Sequence, residues 1–349
     1  MKVLFLTLYP EMAASSRYRV HQFIPYLTAQ GMECTVACAV EEKVWRNYSG
    51  PQRKGRPFWY HLHETRTRRK QLQRLKGYDC IFLQKGLMTA YLKGMHRYLD
   101  PVADKLVYDL DDAVHLAPPH PLSRRWDWLE DGRQVEKILE RASLVLAGNH
   151  WLEEKVSAWA QNVKCFPTVV DTERFQPAVQ PPESYTLGWI GSPSTVKNLD
   201  KVLGLILGIS KVQLQVVGAQ LNQPDLAQVR CRDWTLEGEV EAIQQFSVGL
   251  MPLTDTPWNR GKCALKALLY MACGVPCIAS PVGAVQDIIT HGENGLLAAT
   301  PEEWIAAIEA LRDPAYRQQL GHAARSTVEK HYSLHHAAPR LATLLAAYR

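Results

Sequence analysis

Short apolar segments alternate with helical patterns along the chain, and this alternation occurs in both halves. In the first half the apolar segments are KVLFLTL, ECTVACAV, DCIFLQK, KLVYDL and SLVLAGN. In the second half YTLGWIG, VQLQVVG, SVGLMPL and VPCIAS repeat the rhythm. Most of them are apolar on both faces, which is typical of strands in a parallel sheet covered by helices. The pattern predicts an α/β chain with two doubly wound domains.

The length of the chain also favours two domains, since 349 residues exceed what one hydrophobic core usually supports. A proline-rich segment, QPAVQPPESY at residues 176–185, precedes the first strand of the second half and marks the linker. We predict an N-terminal domain over residues 1–165, a C-terminal domain over 166–334 and a final helical segment over 335–349. Ligands of such chains bind at the carboxyl ends of the strands, in the cleft between the domains.

The composition indicates an ordinary globular protein of the cytoplasm. Hydrophobic residues make up 46% and charged residues 21% of the chain, and no segment has the length of a membrane span. The opening MKVLFLTLYP has the pattern of a first strand and lacks the features of a signal peptide. The eight cysteines show no zinc-ligand spacing, so we expect free thiols and no metal centre.

The net charge of +5 is unevenly distributed, with the excess in residues 43–76. This stretch holds eleven basic residues together with five aromatic ones, Trp45, Tyr48, Phe58, Trp59 and Tyr60. One interpretation is a solvated surface loop and helix. The other is a surface that binds anionic lipid head groups or an anionic acceptor. No nucleic-acid recognition motif accompanies the charge, so a nucleic-acid partner is not expected.

Polar residues that suit a diphosphate follow two strands of the second half. After YTLGWIG, the residues Ser192, Ser194 and Thr195 are predicted to cap a helix with Lys197 in its first turn. After SVGLMPL, the stretch GKCALKALLYMACGVPCIAS predicts a helix with Lys262 and Lys266 near its start. Lysines are disfavoured at the positive end of a helix unless an anion docks there. In isolation, each segment also fits a plain helix start with a surface lysine.

Two segments of the first half carry further candidate residues. PEMAASSRYR follows the first strand and contains Ser15, Ser16, Arg17 and Arg19, which suit a phosphate or an acceptor, or else form an ordinary capped helix. YDLDDAVH follows another strand. Within it we expect Asp109 to be structural, and Asp111 or Asp112 to orient an acceptor hydroxyl or to act as a base. No G-x-G-x-x-G follows the first strand of either half, which disfavours a dinucleotide-dependent oxidoreductase.

The second half resembles the C-terminal domain of glycosyltransferase family 4, whose members are nucleotide-sugar transferases with two Rossmann-like domains (the GT-B type). The segments that carry the resemblance are FPTVVDTERFQP, IGSPSTVKNLDKV, GLMPL and YMACGVPCIASPVGAVQDIITHGENGLLA. The first half is similar to the family in pattern but not closely in sequence. The resemblance implies that two Rossmann-like domains face each other across a cleft, and that the final helix crosses back onto the first domain.

The resemblance also implies roles for individual residues. The basic residues that bind the donor diphosphate correspond to Lys197 and Lys266. Two glutamates that often bind the donor sugar and the ribose in the family correspond to Gly261 and Leu269, so that sugar contact is expected from Asp255 or Asn259 instead. The full set of expected donor-binding positions is Gly191, Ser192, Thr195, Lys197, Gly218, Asp255, Asn259, Gly261, Lys262, Lys266 and Leu269. On the acceptor side we expect Ser15, Ser16, Arg17, Arg19 and His115.

Together these observations predict a retaining glycosyltransferase that moves a sugar from a nucleotide diphosphate donor to a glycan or lipid-linked acceptor. It would act in the synthesis of a cell-surface polysaccharide or glycolipid. The expected catalytic residues are Asp111, Asp112 and Lys266, with no cofactor beyond the donor and a peripheral contact of residues 43–76 with anionic membrane. The resemblance also implies that the departing phosphate can itself take the acceptor proton, so the base is either that phosphate or one of the two aspartates. Two alternatives stay open at this point: a sugar-nucleotide epimerase or hydrolase on the same fold, and a non-catalytic protein that binds glycans or membranes.

Overall fold

A computed structural model of the protein describes residues 1–48, 58–118, 120–180, 182, 184–221 and 227–348. The chain divides into two compact units. Unit 1 contains Met1–Thr168, Arg260–Cys263 and Ala337–Arg349, and unit 2 contains Val169–Asn259 and Ala264–His336. None of the helices within the described ranges has both the length and the apolar character that crossing a membrane requires. All eight cysteines are free thiols.

Unit 1 is built on a six-stranded parallel sheet with the strand order β2-β1-β3-β4-β5-β6. Its strands are β1 (Lys2–Thr7), β2 (Glu33–Cys38), β3 (Cys80–Gln84), β4 (Leu106–Leu110), β5 (Leu144–Ala147) and β6 (Val163–Cys165). Its helices are α1 (Ala14–Arg19), α2 (Ile24–Ala29), α3 (Glu42–Tyr48), α4 (Phe58–Leu72), α5 (Gln134–Leu139) and α6 (His150–Val156). Short 3-10 segments lie at His21–Phe23, Leu75–Gly77, Met95–Lys105 and Asp127–Leu129.

Unit 2 repeats this plan with the strand order β12-β11-β10-β7-β8-β9, again parallel throughout. Its strands are β7 (Thr186–Ile190), β8 (Gln213–Val217), β9 (Val229–Arg232), β10 (Val248–Met251), β11 (Cys277–Ala279) and β12 (Leu296–Leu297). The helices are α7 (Asp200–Gly208), α8 (Glu239–Gln244), α9 (Pro257–Arg260), α10 (Leu265–Ala272), α11 (Val285–Ile288), α12 (Pro301–Ala310) and α13 (Pro314–His331). The last helix, α14 (Leu334–Ala346), begins in unit 2, and its residues from Ala337 onward belong to unit 1. A 3-10 turn spans Val196–Asn198.

The central strands of both sheets are mainly apolar and are buried, which explains why they fold as parallel strands. β3, β4 and β5 are buried along their whole length, as are β7 and β10 in the second sheet. Side chains that point to either face of a covered sheet meet helices, so both faces must be apolar. The predicted α/β class with two doubly wound sheets is confirmed. The domain boundaries at residues 165 and 334 stay predictions. The two compact units change over after Thr168 and after His336.

Three strands are absent from the sequence prediction: β6, β9 and β12. Each is two to four residues long and lies at an edge of its sheet. Edge strands are short in natural proteins, and only one of their sides is paired. Their residues therefore carry too little periodic pattern to be recognised.

Candidate functional site

In unit 2, two glycine turns pack against each other just after β7 and β8. Gly218 has φ +84°, in the left-handed region that glycine adopts readily, and a Cβ there would lie 2.4 Å from the carbonyl oxygen of Gly191. A Cβ at Gly191 would lie 2.6 Å from the Trp189 ring and 2.7 Å from the Lys266 side chain. The absence of both side chains thus allows the two turns and Lys266 to come together.

Lys266 is the second residue of α10, as the sequence predicts for a lysine near the helix start. Its ammonium nitrogen lies 3.4 Å from Thr195 Oγ1 and 4.6 Å from the centroid of the Trp189 ring. The helix begins after Ala264, which has φ +51° and supplies no capping side chain. The first backbone N–H groups of a helix have no partner within it, and with an ammonium beside them they favour a negatively charged group.

The prediction that Lys197 lies in the first turn of a capped helix is wrong. A 3-10 turn at Val196–Asn198 holds Lys197, and α7 begins only at Asp200. The hydroxyls form a turn of their own instead of a cap, because Thr195 Oγ1 donates to the carbonyl of Ser192 at 3.0 Å. The Ser192 hydroxyl lies 2.9 Å from that of Ser194. Ser192 and Lys197 remain exposed.

The surroundings of the other expected donor-binding residues of unit 2 are less suitable for contact with a donor. Asn259 donates its side-chain amide to the carbonyl of Thr254 at 2.9 Å, which closes the loop after β10. Asp255 is exposed on the same loop. Leu269 is buried in α10 and offers only apolar atoms. Trp234, which sequence reasoning missed, lies beside the second glycine turn, with its Cβ 3.1 Å from a Cβ built at Gly218. Trp234 lies in the loop between β9 and α8, where hydrophobic periodicity gives no indication of a residue's role.

The segment Arg260–Cys263 belongs to unit 1, although the residues on either side of it belong to unit 2. The prediction that Lys262 lies in the helix of Lys266 is therefore wrong: the chain bends at Ala264, and α10 starts at Leu265. Gly261 lies flat on Ala113, whose backbone nitrogen would be 2.8 Å from a Cβ at position 261. No carboxylate side chain fits at Gly261 without moving that backbone.

Lys262 and its neighbours are tied to the loop after β4. The Lys262 ammonium lies 3.4 Å from Asp112 Oδ1, and the Cys263 thiol is 3.2 Å from the carbonyl oxygen of Asp111. Asn149, the N-cap of α6, donates to the carbonyls of Arg260 and Lys262 at 3.1 and 3.0 Å. These contacts account for Lys262 as a partner of Asp112.

Asp111 and Asp112 share a further cation, Lys85, which sequence reasoning also missed. Lys85 directly follows β3, is 8% exposed, and forms an ion pair with Asp112 while lying 3.7 Å from Asp111 Oδ1. Burial raises the pKa of Asp112, but Lys262 and Lys85 outweigh it and lower the pKa to about 2. Burial raises the pKa of Asp111, against the attraction of Lys85. A lysine at the carboxyl end of an otherwise apolar strand was the available signal.

Arg19 and Asp109 form a buried ion pair, consistent with the expected structural role of Asp109. The guanidinium bonds both carboxylate oxygens and also donates to the carbonyl of Phe166 at 2.9 Å. Burial lowers the pKa of Arg19, but Asp109 more than compensates, so the pKa is raised. These contacts explain Arg19 without any ligand, because its donors are used inside unit 1.

The remaining residues of α1 are similarly engaged. Ser16 is buried and donates to the carbonyl of Tyr9 at 2.7 Å, and Arg17 is 6% exposed and donates to the carbonyl of Met12 at 3.1 Å. Ser15 is only partly buried. His115 is also partly buried, with its ring 6.0 Å from those of Trp151 and Trp159, and burial lowers its pKa. Of the residues expected on the acceptor side, Ser15 and His115 keep the most accessible side chains.

One group of metal-ligand side chains occurs in the part of the chain that the structure describes. Ligand atoms of His150, Glu153 and Cys165 lie within 4.8 Å of one another. The Glu153 carboxylate already contacts His150 Nδ1 at 2.9 Å and accepts from the Cys165 backbone N–H at 2.9 Å. These contacts give Glu153 a structural role, because its carboxylate links α6 to the backbone of β6.

The basic stretch 43–76 divides into a buried and an exposed part, and 49–57 lie outside the described residues. Arg68 is fully buried and donates to the carbonyls of Thr7 and Leu87, so it is not part of a surface, and neither is the buried Tyr60. Burial lowers the pKa of Arg68 to about 10. Phe58 and Trp59 are about half exposed, at 51% and 49%. The exposed side of α4 is thus both basic and aromatic.

Residues 184–313 match the family described as glycosyl transferases group 1. N-acetyl-alpha-D-glucosaminyl L-malate synthase of Bacillus anthracis is 35% identical to this chain over 86 residues, which is 24% of this chain. The matched segment spans only 22% of the length of that relative.

Solved structures resemble the chain over nearly its whole length. Sucrose-phosphate synthase from Thermosynechococcus elongatus has a TM-score of 0.74 at 17% identity, with 99% of this chain and 98% of that chain covered. HepE of Anabaena, solved with UDP and glucose, has a TM-score of 0.72 at 16% identity, with coverage of 99% and 100%. At such identities the likeness concerns the fold, which is that of the GT-B glycosyltransferases. Residues 184–313 are thus similar to the group 1 glycosyltransferases, and both parallel sheets agree with the fold of the solved structures.

Proposed function

We propose that the protein is a retaining glycosyltransferase that uses a nucleoside diphosphate sugar as its donor. The observation that carries this proposal is the convergence, in unit 2, of Lys266, the uncapped start of α10 and the two glycine turns at Gly191 and Gly218. An ammonium, the N-terminal end of a helix and closely approachable backbone together suit a diphosphate. HepE of Anabaena, of similar fold, was solved with UDP-glucose, which supports a donor of this class.

On the donor side, Lys266 would stabilise the charge that develops on the leaving diphosphate. The bond from the anomeric carbon to the phosphate oxygen breaks with its electron pair on oxygen, so negative charge grows there in the transition state. A fixed cation at that point lowers the barrier more than it strengthens ground-state binding. Lys197, exposed on the 3-10 turn after β7, is a second candidate for the same anion.

On the acceptor side, the loop after β4 would handle the hydroxyl that attacks the sugar. Asp111 and Asp112 lie at the carboxyl end of β4, the end at which parallel α/β sheets bind their ligands. A carboxylate there can orient an acceptor hydroxyl and take its proton. The acceptor class that we propose is a glycan or a lipid-linked sugar of a cell-surface polysaccharide or glycolipid.

A contact with anionic membrane forms part of this proposal, through the exposed side of α4. Phe58, Leu62, Arg66 and Arg69 follow one another at helical spacings of four and three residues, and all four are exposed. The Phe58 ring also stacks on Trp126, with ring centroids 5.2 Å apart. Apolar rings beside arginines suit the boundary between lipid head groups and acyl chains.

Donor consumption, measured with and without acceptors, tests the proposed function. Purified protein is incubated with a panel of nucleotide sugars, first alone and then with glycan and lipid-linked acceptors, and products are identified by mass spectrometry. We expect transfer to one acceptor class with retained anomeric configuration. Turnover at an equal rate without acceptor would show a hydrolase or epimerase, and absence of both turnover and nucleotide binding would show a non-catalytic protein.

A further inference from the structure

Lys85 occupies an unusual backbone position for a residue of its type. It has φ +67°, in the left-handed region that non-glycine residues rarely adopt, and it is 8% exposed at the end of β3. Its backbone N–H donates to the carbonyl of Asp109 at 2.8 Å, and its carbonyl accepts from the Tyr108 hydroxyl at 3.1 Å. Strained backbone of this kind tends to occur where a side chain must be held in one direction. Here that direction is toward the carboxylates after β4.

The two carboxylates that Lys85 faces have unequal surroundings. Asp112 has two cations, since Lys85 pairs with one of its oxygens and Lys262 lies 3.4 Å from the other. Asp111 has the ammonium of Lys85 at 3.7 Å and the side-chain amide of Gln84 at 3.3 Å. The two ammonium groups thus lie beside Asp112, which remains an anion over the working range of pH. Asp111 is the less stabilised carboxylate of the two.

Other charged and titratable groups around Asp111 are already balanced or neutral. Arg19 is paired with Asp109, and the Cys263 thiol donates to the backbone carbonyl of Asp111. Burial raises the pKa of Cys263 and of Tyr108, so both stay protonated at neutral pH. Within the described part of unit 1, Lys85 and Asp112 are therefore the charges whose removal changes Asp111 most directly.

We propose that Lys85 is a positioning residue that fixes Asp112 as a permanent anion and so leaves Asp111 as the carboxylate that acts on the acceptor hydroxyl. The acceptor oxygen forms its bond to the anomeric carbon on the face from which the diphosphate departs, so that the configuration is retained. The bond from that carbon to the diphosphate breaks with its electron pair on the phosphate oxygen, and the hydroxyl proton goes to Asp111. Lys85 itself touches neither substrate. This inference rests on the proposed function, which places the acceptor hydroxyl at the loop after β4.

The pH dependence of turnover in two variants tests the inference, because they shift the acidic limb of kcat in opposite directions. Removal of a nearby cation raises the pKa of a carboxyl group by about one to three units, and removal of a nearby anion lowers it. We expect Lys85→Met to move the limb to higher pH by at least one unit, and Asp112→Asn to move it to lower pH. Lys85→Arg, which keeps the charge, should restore most of the wild-type profile. Asp111→Asn should lose the limb altogether, with roughly hundredfold lower kcat.

A second readout does not depend on turnover. In protein labelled with carbon-13 at the aspartate carboxyl groups, NMR titration of the wild type should show Asp111 titrating above Asp112. In Lys85→Met the pKa of Asp112 should rise, because Asp112 loses the cation that pairs with it most closely. Thermal melts establish that each variant folds, and Asp112→Asn provides the test if Lys85→Met does not. An unshifted limb in an active enzyme, or Asp112 titrating above Asp111, would overturn the inference. Turnover absent from the wild type would overturn the proposed function and, with it, the catalytic part of this inference.

Discussion

At the scale of single residues, the two lysines that sequence analysis placed together have separate roles. Lys266 lies in unit 2 over the Trp189 ring, and Lys262 lies in unit 1 beside Asp112. Spacing along the sequence implied one helix, but the left-handed backbone of Ala264 separates the two residues. A non-glycine residue in that conformation leaves no pattern in the sequence, so local conformation here had to come from the structure.

The ion pairs of Asp112 predict a specific dependence of stability on pH. Its pKa in the folded protein is about 2, below the ordinary value of 3.8, so its contribution is present above about pH 3.8 and is lost as the pH falls toward 2. A difference of that size corresponds to about 2 kcal/mol. We expect Asp112→Asn to lower the free energy of unfolding at pH 6 by roughly this amount, and to differ less from the wild type near pH 2.5.

Denaturation in urea at a series of pH values measures this effect. Asp233→Asn serves as the control, because Asp233 is exposed and its removal should leave stability nearly unchanged. A constant difference between Asp112→Asn and the wild type over the whole range would contradict the assigned ion pairs.

At the scale of elements, the segment 260–263 shows why a family carboxylate is missing. Gly261 is the position at which the resemblance implies a glutamate, and its place against Ala113 leaves no room for a Cβ. Close packing against the loop after β4 therefore requires a glycine at position 261 and excludes a carboxylate side chain there. Restoring the glutamate should displace that loop instead of restoring a sugar contact.

We expect Gly261→Glu to lower the free energy of unfolding by about 1–3 kcal/mol and to reduce turnover. Thermal melts and donor turnover measure the two effects. Gly204→Ala is the matched control, because nothing lies within 4 Å of a Cβ at that helical position, and alanine there should stabilise α7 by up to about 1 kcal/mol. Higher turnover in Gly261→Glu would show that the position accepts a side chain and that contact with Ala113 does not require glycine there.

Helix α4 has two chemically different sides, and each leads to its own expectation. The buried side ends in Arg68, whose guanidinium joins the carbonyls of Thr7, Ala37 and Leu87 around the ends of the first strands. The exposed side is the proposed membrane contact. The basic stretch was recognisable from composition, but only the contacts of Arg68 reveal which of its charges serve the core.

Charge reversal on the exposed side of α4 tests the membrane contact. Each basic residue near an anionic surface contributes about 1 kcal/mol, an effect that salt screens. The double variant Arg66→Glu and Arg69→Glu should therefore bind phosphatidylglycerol vesicles at least tenfold more weakly than the wild type at low salt. Lys201→Glu and Lys330→Glu, at exposed sites of unit 2, form the matched control in the same sedimentation assay. Equal binding of the wild type to phosphatidylcholine vesicles would refute the role of charge.

At the scale of the whole molecule, the two parallel sheets were predictable and parts of the site were not. Runs of apolar residues on central strands such as β3 and β7 indicate the α/β class, because strands that are apolar on both faces are buried in a parallel sheet with helices on each side. The place of Lys266 near a helix start followed from the same pattern. Lys85 and Trp234 did not, because their importance arises from contacts with residues distant along the chain. Hydrophobic periodicity indicates elements, and it carries no information about which loops meet.

We propose that unit 2 binds the diphosphate of a nucleotide sugar through Lys266. Hydrogen bonds to charged groups contribute about 1.5–3 kcal/mol, so Lys266→Ala should weaken binding of the nucleoside diphosphate roughly ten- to a hundredfold. The melting temperature of the ligand-free variant should stay the same or rise slightly, because a cation near the positive end of α10 is removed. Lys201→Ala, an exposed lysine of the same unit, is the matched control and should bind like the wild type.

The measurement is titration calorimetry of the wild type, Lys266→Ala and Lys201→Ala with UDP and the other nucleoside diphosphates. We expect measurable binding of at least one diphosphate by the wild type and by Lys201→Ala, and binding at least tenfold weaker by Lys266→Ala. Equal affinity of Lys266→Ala and the wild type would contradict the proposal.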